Sequence, residues 1–97
     1  MAKGGGAAGV SGGAAVERAT VLPNVITARL ITGAAGEGRA LLTIERATGR
    51  VRIETGNRTI RAGNLGRTPN PRTDRGAERV ARDALRTLGI RVLPRRR

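Results

Sequence analysis

No phenylalanine, tyrosine or tryptophan occurs in the 97 residues, and histidine, cysteine and glutamine are missing as well. Lys3 is the sole lysine and Ser11 the sole serine. Each absence removes a class of function. Without rings there is no platform on which single-strand binders stack bases. Without cysteine there is no disulfide framework, zinc knuckle or thiol nucleophile. Ser11 has no histidine to activate it as a nucleophile, so acid–base chemistry would fall to Asp and Glu alone. Those seven carboxylates are diluted by arginine, which favours solvated ion pairs over a metal cluster or a catalytic pair. No window is apolar enough to span a membrane or serve as a signal peptide. The expectation is a non-enzyme with no cofactor, no metal and no small-molecule substrate. It would be cytoplasmic or held in a nucleoprotein or virion assembly, and not secreted by a signal peptide.

What remains is an aliphatic, arginine-rich chain. The core must come from 7 Val, 6 Ile and 8 Leu with alanine filling gaps. That set is small for one domain, so either the ends stay unfolded or a partner, a homo-oligomer or a larger assembly, adds burial. The narrow alphabet also fits a designed or reduced-alphabet protein with no evolved ligand.

Residues 1–15, MAKGGGAAGVSGGAA, read as a flexible Gly/Ala arm. Residues 16–93 read as one small α+β domain, and 94–97 as a basic tail. Val16–Asn24 fits neither helix nor strand clearly. Val25–Thr32 is rich in β-branched residues and predicts a strand. Gly33–Arg39 reads as a loop; its Gly33-x-x-Gly36-x-Gly38 spacing resembles a phosphate cradle, but a strand follows where a cradle needs a helix. Ala40–Arg46, Arg50–Thr55 and Arg58–Ala62 are the next strands. Gly49 supplies one turn, and Gly56-Asn57 a two-residue hairpin of the type with glycine first.

A tight hairpin at Gly56-Asn57 pairs Ile53 with Ile60 and Arg52 with Arg61. With Ile44 opposite Ile53, one face carries Ile44, Ile53 and Ile60 and the other Glu45, Arg52 and Arg61. Gly63–Arg72 is a loop by its prolines and glycines. A helix follows from an N-cap at Thr73 or Asp74, with Ala77, Val80, Ala81, Ala84, Leu85 and Leu88 on one stripe and Gly89 just past its end. Ile90–Leu93 can add a short strand. The predicted fold is an antiparallel β-meander of about four strands with one amphipathic helix on its aliphatic face.

Charge is the one functional signal. The net charge is +12, and 18 of the 19 basic residues are arginine. Up to residue 38 the balance is +1; from residue 39 it is +11. Guanidinium is permanently charged and forked to grip phosphate oxygens in pairs. Arg50, Arg52 and Arg61 on the sheet form one candidate group. Arg58, Arg67, Arg72 and Arg75 in loops form a second, Arg79, Arg82 and Arg86 on the helix a third, and Arg95, Arg96 and Arg97 a tail. The expected partner is nucleic acid, RNA slightly ahead of DNA, held by its backbone and not by its bases. A structural subunit of a large assembly is the alternative.

The strands followed by RTDRGAERVARDALRTLG resemble the second half of a double-stranded-RNA-binding domain, although that family's first helix has no counterpart and Asp74 interrupts the basic run. The helix, LGI, strand and basic-tail ending is similar to some ribosomal proteins. Neither resemblance carries a specific motif, and neither assigns a family.

Overall fold

The computed structural model describes residues 12–33, 36 and 38–94. Lys3, Ser11 and the tail Arg95–Arg97 lie outside the described residues, as do residues 1–11 of the Gly/Ala arm. Five strands follow in order: β1 (Ala14–Val21), β2 (Val25–Thr32), β3 (Gly38–Glu45), β4 (Arg50–Thr55) and β5 (Arg58–Asn64). They form one antiparallel sheet in sequence order, and a single helix, α1 (Asp74–Thr87), packs on one of its faces. The fold is α+β, with one strand more than expected.

The additional strand is β1. It begins at Ala14, inside the stretch read as arm. Its alternation is broken by a bulge between Val16 and Arg18, and alanine carries much of its inward face. Neither feature gives a strand signal in the sequence. The alanines have a packing consequence. Ala14 and Ala19 on β1 and Ala77, Ala81 and Ala84 on α1 are all buried. Small residues on both sides let the helix lie close over the β1–β2 side of the sheet, where most of its contacts fall. Ile26, Leu30, Leu42, Ile44, Ile53 and Leu85 fill the space between the two layers and are fully buried.

The hairpins follow their turn residues. Gly49 takes φ +78° after β3, and its amide donates to the Glu45 carbonyl at 2.8 Å. Gly56 takes φ +61° in the two-residue turn between β4 and β5, as the glycine-first hairpin requires. The helix starts at Thr73, whose hydroxyl accepts from the Gly76 amide at 3.1 Å. It ends with paired bonds from Gly89 to the Arg86 carbonyl and from Ile90 to the Leu85 carbonyl. This is the glycine-terminated motif anticipated at Gly89.

Two registers differ from expectation. Ile44 pairs with Val51, and Ile53 with Leu42. The shift is of two residues, so every side chain keeps its face. The second difference matters more. A bulge in the β4–β5 ladder leaves Ile60 without a direct partner, so Ile53 pairs with Arg61 and Arg52 with Ala62. Arg61 is thereby moved from the outer face to the helix side. The repulsion expected between Arg52 and Arg61 does not arise. The final strand shrinks to a single parallel bridge, Ala14 with Val92, beside β1.

Candidate nucleic-acid interface

The helix covers one face of the sheet and leaves the other open. On that open face the register places side chains in rows across the strands. One row runs Thr20, Thr27, Thr43, Arg52, Ala62. The next runs Arg18, Arg29, Leu41, Glu54, Thr59. Arg39 stands beside Ile31, and Arg50 beside Asn64. All five of these arginines are exposed. With strands about 5 Å apart and about 3.3 Å per residue, Arg29 and Arg52 are roughly 12 Å apart at their Cα atoms. The centre is short and hydroxylated, with one exposed leucine, Leu41.

Arg18 and Arg29 are direct cross-strand partners. Like charges in that position repel. Among the described residues neither has a carboxylate within 4.0 Å, and Arg39 and Arg50 have none either. Arg52 is the exception, with Nε 3.3 Å from Glu54 Oε2. Glu45 accepts from the Thr48 hydroxyl at 2.8 Å. Among the described residues, three depressions involve these arginines. Thr43, Glu45, Arg50, Arg52 and Ala62 line one, Arg29, Arg39, Leu41, Glu17 and Glu54 line a second, and Arg18, Arg29, Glu17, Asp74 and Glu78 line a third toward the β1 edge.

The helix carries a second arginine surface. Arg75, Arg79, Arg82 and Arg86 recur at steps of four, three and four, which sets them on one stripe. The buried residues Ala77, Val80, Ala81, Ala84 and Leu85 lie on the opposite side of the helix. The stripe therefore points away from the sheet. Its C-terminal half is partly neutralised. Asp83 binds both Arg67 and Arg86 at 3.2 Å, and Glu78 lies 3.9 Å from Arg82. Arg72, Arg75 and Arg79 are exposed and have no carboxylate within 4.0 Å among the described residues.

The arginines singled out in the sequence are thus not brought to one surface. Arg50 and Arg52 sit on the open sheet face, and Arg58 is exposed at the β4–β5 turn. Arg67, Arg72, Arg75, Arg79 and Arg82 belong to the helix side. Arg61 is a structural residue: its Nη1 donates to the Leu88 carbonyl at 2.7 Å, satisfying the end of the helix. Arg95, Arg96 and Arg97 lie outside the described residues.

Sequence reasoning missed Arg18, Arg29 and Arg39. The near-neutral balance up to residue 38 hid the first two. The alternation of VITARLIT was the available signal for Arg29, since it sets Arg29 opposite to buried Ile26, Ala28 and Leu30. Arg46, never singled out, is a clamp. Its guanidinium donates to the Leu22 carbonyl and to Asn70 Oδ1, each at 2.7 Å.

No group of three His, Cys, Asp or Glu among the described residues could hold a metal ion. No helix among them is long and apolar enough to cross a membrane. No family model matches the chain, and no curated protein or solved structure is significantly similar to it.

Proposed function

We propose that this is a non-catalytic nucleic-acid-binding protein that grips the phosphate backbone with arginine. The observation that carries the reading is the Arg18–Arg29 pair. Two guanidiniums held opposite each other, with no carboxylate within 4.0 Å among the described residues, repel; Glu17, Asp74 and Glu78 line the same depression and offset part of that charge, and an external anion would relieve the rest. Arg39, Arg50 and Arg52 extend that potential across the open face. A row of phosphates can lie along Thr20, Thr27 and Thr43, which share one row and have short side chains. Threonine hydroxyls beside the arginines both donate and accept, which suits a ribose 2′-hydroxyl and puts RNA slightly ahead of DNA. With no aromatic residue in the chain, bases are not stacked upon, and sequence preference is weak.

The test uses the missing chromophores. The protein lacks every aromatic side chain, so absorbance at 260 nm in a purified sample reports a bound partner. The expected result is a 260 nm peak that co-purifies at low salt and disappears after nuclease and high-salt washing. A preparation with no such peak at low salt, and no binding to added RNA or DNA, contradicts the proposal.

A second reading, a structural subunit of a larger nucleoprotein assembly, is favoured by the edge of β5. Within the sheet that strand pairs with β4 alone, which leaves backbone groups open to another strand. Light scattering on nuclease-treated protein distinguishes the two readings: a multimer supports the assembly role and a monomer opposes it.

A further inference from the structure

We propose that each molecule bridges two separate nucleic-acid segments, one on the open sheet face and one on the helix stripe. This rests on the nucleic-acid reading and goes beyond it, from binding to bringing two strands or duplexes together. The sheet arginines Arg18, Arg29, Arg39, Arg50 and Arg52 project from the face that α1 does not cover. The helix arginines Arg75 and Arg79 are on the side of α1 that does not face the sheet, and Arg72, two residues before the helix, is exposed.

Arg39, Arg50 and Arg52 are thus on the opposite layer from Arg75 and Arg79, while Arg18 and Arg29 lie toward the β1 edge, where they share a depression with Asp74 and Glu78 of α1. Packed layers are about 10 Å apart, and the long arginine side chains extend outward from each. A dry aliphatic core fills the gap, including Leu30, Leu42, Ile44, Ile53 and Leu85. One rigid duplex on the sheet face cannot also reach the helix stripe without bending sharply around the molecule, and such bending is costly over so short a length.

Charge supports two contacts better than one. Both surfaces hold arginines without a carboxylate within 4.0 Å among the described residues: Arg18, Arg29, Arg39 and Arg50 on one side, Arg72, Arg75 and Arg79 on the other. A single bound segment neutralises only one of these sets. The other stays available to a second backbone, and counterion release drives each contact separately.

The experiment mixes two short RNA duplexes, one labelled with an energy-transfer donor and one with an acceptor, and adds protein at low salt. Two variants are compared with wild type: a sheet-face variant (Arg18→Gln, Arg29→Gln, Arg50→Gln) and a helix-face variant (Arg72→Gln, Arg75→Gln, Arg79→Gln). Far-UV circular dichroism melts establish that both fold. Wild-type protein is expected to raise energy transfer between the duplexes. Each variant is expected to keep binding a single duplex while transfer falls to the level of the protein-free mixture. Wild-type binding with no transfer at any protein ratio overturns bridging and leaves the nucleic-acid reading intact. So does full transfer by the helix-face variant, which would assign bridging to association of the protein with itself. Failure of wild-type protein to bind either duplex overturns the underlying reading.

Discussion

Arg46 and Arg50 are four positions apart and have different roles. Arg46 is half-buried, and its guanidinium joins the β1–β2 turn to the loop before the helix through the Leu22 carbonyl and Asn70. Hydrogen bonds from a charged group are among the stronger ones, so Arg46→Ala should cost about 2 kcal/mol. Arg50 is exposed, and Arg50→Ala should change stability by no more than about 0.5 kcal/mol while weakening nucleic-acid binding. Chemical denaturation followed by far-UV circular dichroism, beside a binding titration, separates the two. Arg18 gives a third pattern. Replacing it with threonine removes the repulsion against Arg29 and should stabilise the fold by about 0.5 kcal/mol at low salt. The gain should vanish at high salt, since exposed charges are screened there. A residue whose removal stabilises the fold and weakens binding is retained for binding.

At the scale of elements, the turns fix the sheet. Gly49 has positive φ, and a Cβ there would collide with the Arg67 carbonyl oxygen. Its own carbonyl accepts from the Leu65 amide at 2.8 Å, so the β3–β4 turn and the start of the long loop are packed as one unit. Gly49→Ala should cost about 2 kcal/mol or more, from left-handed strain and the backbone clash together. A thermal melt shifted down by several degrees is the expected readout. The β2, β4 and helix signals were legible because alternation, turn glycines and the 3.6-residue stripe agree with one another. β1 was not, because alanine and a bulge erase its period. The bulge at Ile60 was equally silent. A two-residue turn fixes the register only up to the first irregularity, and here Arg61 lies just beyond it. One extra residue therefore converted a predicted binding arginine into a helix-end ligand. The same physics limited the candidate site. A running count of charge locates arginines along the chain but not the face of the fold they occupy. It missed Arg18, Arg29 and Arg39 and merged the arginines of the sheet with those of the helix.

For the whole molecule, the central claim is that arginine on an open sheet face meets a phosphate backbone. Affinity governed by counterion release falls linearly in log–log form as salt rises, with a slope of about −0.9 for each phosphate neutralised on a duplex and about −0.7 on a single strand. The direct measurement is fluorescence anisotropy of a labelled RNA duplex titrated with protein at several salt concentrations between roughly 50 and 200 mM. Wild type is compared with the Arg18→Gln, Arg29→Gln, Arg50→Gln variant. The account predicts a steep slope for wild type, made shallower by about 2 to 3 in the variant, with each lost phosphate contact lowering it by about 1. A salt-independent affinity, or a steep slope that the triple variant leaves unchanged, contradicts it.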